Sequence, residues 1–283
     1  MTTVILAAAY VVLAPFVGGL LAGLDRKISA RMQGRWGPPI LQPFYDVGKL
    51  FQKENIVVRR SQNFYIYFFV VFIVFTGGLF FTGGDLLLVI FALTLGSIFF
   101  VLGAYKASSP YSFLGAEREL IQMMAYEPML LLSAIGMYMV TRSFFVTDIA
   151  RSGKLLILYV PGLFIGFVAI LAFKFRKSPF DLSASHHAHQ ELVRGVTTEF
   201  SGRTLALIEI AHWYENVVLL GFTALFFNTM PVLAAAAALA VWFLMMLVDN
   251  VFARVKWQLA LQSAWIIAAT LGLGNILVVF FFR

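Results

Sequence analysis

The chain has 283 residues, 61% hydrophobic and 12% charged. With a mean hydropathy of +0.88 and apolar runs of about 20 residues, it describes an all-α polytopic membrane protein, and excludes both a soluble domain and a barrel of short alternating strands. It has no cysteine for disulfides, iron–sulfur clusters or structural zinc, and its net charge of +7 comes from interhelical loops, not from a nucleic-acid-binding stripe.

Apolar runs predict about eight transmembrane helices, near 3–24, 64–82, 85–105, 117–141, 155–173, 204–227, 231–249 and 260–281. The first run lacks the positive region of a secretory signal and reads as a retained helix. A Gly-Gly-Asp turn makes the second and third spans tightly antiparallel. Residues 1–283 read as a single integral membrane domain with no linker and no inverted repeat. Two large loops, 25–63 and 174–203, interrupt it. The loops after spans one, three, five and seven hold 17 of the 21 Lys and Arg residues. The positive-inside rule therefore places these loops in the cytoplasm and both termini outside a bacterial or archaeal inner membrane.

The loop after the first span reads DRKISARMQGRWGPPILQPFYDVGKLFQKENIVVRR. Its first half is basic and turn-rich, with Gly34, Gly37, Pro38 and Pro39 opposing a helix. Between Leu41 and Phe51 the apolar residues fall at helical spacing, which predicts a short amphipathic helix at the interface. A plain topogenic basic loop is the alternative.

Span four begins GAERELIQMMAYEPMLLL. Helical geometry puts Glu119 and Glu127 about 12 Å apart along one side. Glu127 lies about ten residues inside, where a carboxylate must pair, protonate or face water. A neutral, hydrogen-bonded glutamate is the other reading.

The polar insert KFRKSPFDLSASHHAHQELVRGVTTEFSGR separates two apolar runs and carries Asp181, Glu191, Glu199 and three of the four histidines, His186, His187 and His189. Ionisable groups are costly at a membrane border, so the cluster points to handling of protons, ions or a partner. The histidine spacing matches no usual zinc pattern, which favours docking or proton uptake over a metal site. In span six, Glu209, His212 and Glu215 follow at steps of three. Such a ladder suits proton transfer, while a hydrogen-bonded seam gluing helices is the structural alternative.

The runs RWGP and LQPFYDVGKLFQKE, followed in order by GAERELIQMMAYE, SPFDL, QEL and TEFSG, resemble the H subunit family of respiratory complex I across most of the chain. In the insert, SASHHAHQEL places histidines where complex I versions carry a short acidic stretch. With TLALIEIAHWYE this looks like the B-type membrane component of Ech-type energy-converting [NiFe] hydrogenases. The resemblance implies a subunit without cofactors of its own, sitting in the lipid bilayer. Its partners would be hydrogenase large and small subunits, an iron–sulfur subunit and an antiporter-like membrane subunit. Ferredoxin would reach the complex through the peripheral arm, and the [NiFe] centre and iron–sulfur clusters would lie on the partners. By the same resemblance, Arg35, Asp46 and Lys49 shape the loop beneath the catalytic subunit, and Glu127, Asp181, Glu191 and Glu199 line or feed a buried acidic path. Loss of acidic positions agrees with a complex that reduces protons instead of quinone.

Overall fold

The computed structural model describes residues 2–56, 60–183 and 194–282. His186, His187, His189 and Glu191 lie outside the described residues.

Helix α1, Thr2–Met32, does not stop where the charges begin. The expected turn-rich start of the first loop is therefore helical as far as Met32. Lys, Arg, Ala and Met are good helix formers, so the helix outlasts the apolar run. It stops at Gly34, whose φ of +73° supplies the left-handed residue of a helix C-terminus and whose N–H donates to the Arg31 carbonyl. The amphipathic helix α2 follows as expected, at Gln42–Gln52, with Pro43 in its first turn. Then come α3, Arg60–Phe81, and α4, Leu86–Lys106, joined by the foreseen Gly-Gly-Asp turn. The Asp85 carboxylate caps α4 by accepting from the Leu87 N–H at 2.8 Å. Helix α5 spans Pro110–Thr141, seven residues earlier than the apolar run suggested.

The fifth expected span, 155–173, takes a different form. Helix α6, Val146–Arg151, precedes it, and the span itself consists of the short α7, Leu156–Tyr159, followed by α8, Pro161–Lys174. Pro161 starts α8, whose 14 residues reach about 21 Å against about 30 Å of hydrocarbon. Helices α9, Gly202–Leu225, and α10, Pro231–Val251, are uninterrupted. The last span is α11, Trp257–Ile267, and α12, Gly274–Phe282, joined by a π-helical stretch at Ala268–Leu273. Among the described residues, seven helices are long and apolar enough to cross a membrane, with α8 as a shorter apolar eighth.

Contacts cluster in two compact units. The first comprises Met1–Gly78, Ala92–Leu120 and Leu182–Val217. In it, α1 lies so close to α9 that a Cβ on Gly18 would sit 2.6 Å from the Trp213 carbonyl oxygen, which leaves glycine as the residue that fits. The Tyr214 hydroxyl donates to the Val11 carbonyl at 2.5 Å, and the Tyr10 and Tyr214 rings pack 5.5 Å apart. The apolar face of α2 is covered by α9. Val47, Ala206 and Trp213 form a buried cluster, with Phe44 and Leu50 against it.

The second unit comprises Leu79–Phe91, Ile121–Asp181 and Val218–Arg283. Here α8 is a core element. Leu163 and Phe167 are fully buried, and Phe167 stacks on Phe222 at 4.8 Å. A helix enclosed by protein does not need the length that lipid demands.

Candidate functional site at the loop face of the first unit

The TEFSG stretch is fastened to the end of the first loop. Ser201 Oγ donates to the Ile56 carbonyl at 2.9 Å and accepts from the Ile56 N–H at 3.0 Å. Thr204 Oγ1 donates to Asn55 Oδ1 at 3.1 Å. A 3₁₀ turn at Gly195–Thr197 precedes this clasp, and the Val196 N–H donates to the Ser183 carbonyl at 3.0 Å. Ser183 in turn donates its hydroxyl to the carboxylate of Glu119, which is 4% exposed. The first loop, the start of α5 and the ends of the polar insert therefore meet in one place.

Above this junction a cavity of about 260 Å³ opens between α2 and α9. Its polar lining is Arg26, Asp46, Lys49, Lys53, Arg194 and Glu209, and its apolar wall includes Val47, Leu205 and Trp213. Arg26 donates to Asp46 at 2.6 Å, and Gln42 donates to the other Asp46 oxygen at 2.9 Å. Partial burial pulls the Asp46 carboxyl upward. The hydrogen bonds from Arg26 and Gln42 and the charges of Arg26 and Lys49 outweigh it, holding the group below its ordinary value.

Helix α9 carries the sequence-predicted ladder, and its members meet different surroundings. Glu209 lines the cavity. His212 lies edge-on to both Phe69 and Phe100, with ring centroids 5.7 Å away in each case. Glu215 is 1% exposed, and its Oε2 lies 3.5 Å from His212 Nδ1. Steps of three turn the helix back by about 60° each, so the three residues wind around α9 and do not share one strict face. The acid–base pair His212–Glu215 is the part of the ladder brought into direct reach.

The other sequence-predicted residues separate. Arg35 is exposed in the turn after α1, beside Trp36, over whose ring the Arg31 guanidinium sits at 4.3 Å. Glu199 is half-buried within the TEFSG stretch. Glu127 and Asp181 belong to the second unit. Glu127 is half-buried on α5 beside Tyr126, whose ring carries the Lys174 ammonium 4.6 Å above it. Asp181 is 6% exposed and accepts from Arg254 Nε at 2.9 Å, while Lys177 pairs with Asp249 at 3.0 Å. These two ion pairs hold the SPFDL loop to the last turn of α10 and to the connection that follows it. Glu119 was absent from the expected site set. The GAERE run and its spacing to Glu127 were its sequence signals, and burial against Ser183 is what brings it to the loop face. Among the described residues, no three metal-ligating side chains gather.

The NADH dehydrogenase family profile matches residues 4–280. The chain belongs to that family. It is 29% identical to hydrogenase-4 component C of Escherichia coli, over 93% of this chain and 92% of that protein. It is 31% identical to the H subunit of the NADH-quinone oxidoreductase of Syntrophotalea carbinolica, over 98% of this chain and 91% of the relative. A chain of the membrane-bound sulfane sulfur reductase, an archaeal respiratory membrane complex, has the same fold. There the TM-score is 0.85 at 24% identity, with 97% of this chain and all of that one covered. Family membership accounts for the order of the matching motifs along the sequence, and the clasp and the Glu119–Ser183 contact give several of those motifs a physical purpose.

Proposed function

We infer that the chain is the membrane anchor and ion-coupling subunit of an energy-converting [NiFe] hydrogenase complex. The complex links ferredoxin oxidation and H2 formation, or the reverse, to movement of H⁺ or Na⁺. Electron transfer and hydrogen chemistry belong to partner subunits, and this chain holds and moves protons. The observation that carries the coupling role is the buried Glu215 beside His212, six residues or about 9 Å along α9 from Glu209 at the cavity. Imidazole titrates near neutrality, so a His–Glu pair in a low-dielectric setting passes a proton without stranding a charge. Glu119, Glu191 and Glu199 feed the same path, and Glu127 holds a proton within the second unit. Asp181 is assigned to clamping its loop, because a guanidinium holds it. The loop face is cytoplasmic and both termini are outside, so topology reporters at Gln52 and Thr147 should fall on opposite sides; reporters on one side overturn the docking face.

The hydrogenase reading draws on the full-length likeness to hydrogenase-4 component C and on the histidine-rich insert. The second reading, the H subunit of a quinone-reducing complex I, is favoured by the 31% identity to such a protein over 98% of the chain. Isolating the intact complex through a tag on this chain separates them. Hydrogen evolution from reduced ferredoxin is the expected activity, and NADH-driven quinone reduction without hydrogen turnover would establish the second reading.

Coupling is tested by Glu215→Gln, which keeps size and polarity and removes the titrating proton. Ion translocation should fall by about tenfold or more, while assembly and turnover with an artificial electron donor survive. Normal assembly together with normal translocation would reject the carrier role.

A further inference from the structure

We propose that the cavity between α2 and α9 binds the phosphate group of an anionic phospholipid drawn from the leaflet that α2 borders. Among the described residues, four cations and two carboxylates line it. Arg26 and Asp46 neutralise one another at 2.6 Å, which leaves Lys49, Lys53 and Arg194 facing Glu209. All three of these cations lie on exposed residues, so they reach an incoming headgroup without rearrangement of the core.

The wall beneath them is apolar. Leu205 and Trp213 of α9 and Val47 of α2 offer a surface for glycerol and the first methylenes of an acyl chain. An amphiphile with an anionic head matches this two-zone lining, whereas a free small anion would use the cations and leave the apolar wall wet. Helix α2 supplies the second observation. Its covered face packs on α9, yet Tyr45 and Phe51 remain 63% and 41% exposed. Aromatic and apolar groups exposed on an interfacial helix rest in the headgroup region, which brings the mouth of the cavity to the lipid phosphates. Basic residues at such a level gain from a negative leaflet, and basic pockets between membrane helices select anionic headgroups. A bound lipid would tie α2 to α9, the two elements that frame Glu209.

The test uses the intact complex, delipidated and returned to nanodiscs of phosphatidylcholine doped with phosphatidylglycerol. Bound lipid is counted by native mass spectrometry. The native complex should retain phosphatidylglycerol over phosphatidylcholine by about tenfold or more. Lys49→Gln, Lys53→Gln and Arg194→Gln should each weaken retention by about fivefold, and the triple variant should lose the preference. Lys49→Arg should restore it. Lys106→Gln removes one charge elsewhere and should leave retention unchanged; an equal loss there would reduce the effect to general surface attraction and overturn the site. Undiminished retention in the triple variant, or equal retention of the two lipids by the native complex, also overturns it. Displacement by millimolar inorganic phosphate would assign the cavity to free phosphate and overturn the lipid. Co-purified quinone lost in the triple variant, with no change in phosphatidylglycerol, would do the same.

Discussion

Helices α9 and α10 follow one another in the chain, are long enough to cross a bilayer, and are built in opposite ways. In α9 most of the apolar stretch is buried inside the protein, while in α10 most of it faces outward and is the more apolar of the two. The first carries Glu209, His212 and Glu215, while α10 keeps ionisable groups out until Asp249 near its end. The difference shows which solvent each helix has. Helix α10 turns most of its surface away from the rest of the chain, where an added charge finds no partner within the protein. Helix α9 is solvated by other helices, whose aromatic rings, among them Tyr10, Phe69 and Phe100, replace both lipid and water. In α9, reduced hydropathy accompanies burial because the span holds ionisable groups, whereas α4 is mostly buried and carries no charged residue before Lys106.

A charge placed in the outer span should break this contrast most severely. Ala240 is exposed near the middle of α10, and Ala240→Asp should disfavour insertion by about 2.5–3.5 kcal/mol. Glycosylation-site reporters flanking α10 would detect the failure, and Glu215→Asp in α9 should insert normally. Equal insertion of both would mean that α10 has a polar environment of its own.

Added volume should have the next largest effect, in the reverse sense. Ala211 is fully buried on α9, so Ala211→Leu should cost about 1–3 kcal/mol through overpacking. Ala240→Leu should stay within about 0.5 kcal/mol, since it adds a methylated surface to lipid. Melting temperatures of the detergent-solubilised protein decide the matter. A tolerated Ala211→Leu would show that α9 is packed more loosely than its burial indicates.

The smallest effect lies outside the bilayer, where water screens the charges. The Arg26–Asp46 side chains are 44% and 42% exposed, and such a pair contributes about 0–1 kcal/mol. Because the Asp46 carboxyl is held below its ordinary value of 3.8, the pair's contribution is complete above that pH. It is lost as pH falls through the lower folded-state value. Arg26→Ala should therefore lower stability slightly at pH 7 and make no difference once Asp46 is protonated. A penalty that persists in acid would mean that the arginine stem packs as well as pairs.

The sequence and the structure agree where one property decides the outcome. Helix α2 was legible because its apolar residues recur at helical spacing. The turn before α4 was legible because Gly-Gly-Asp has few other uses between apolar runs. The limits of α1 and α5 were less so, since hydropathy ends where charges begin whereas helical hydrogen bonding continues through Asp25–Met32. Span five was misjudged in form because hydropathy counts apolar residues without distinguishing lipid from protein as their neighbour. At the candidate site, Glu209, His212 and Glu215 could be picked out as ionisable groups in an apolar run, but the neighbours that each meets could not. Glu119 and Asp181 were visible as carboxylates in motifs. Their different fates, one receiving a serine hydroxyl and the other a guanidinium, depend on loops 64 and 73 residues away.

By itself, the sequence determined that this is a helical membrane protein without thiol-bound centres, where most of its spans run, and which of its segments are family motifs. Those follow from local properties: transfer free energies of side chains, helical period and the absence of cysteine. Only the tertiary structure decided that α8 is a short core helix, that the first loop and the TEFSG stretch clasp one another, and that Glu215 is buried inside the protein. Each of those depends on long-range packing, in which a side chain's solvent is other parts of the same chain, and no local pattern records which parts they will be.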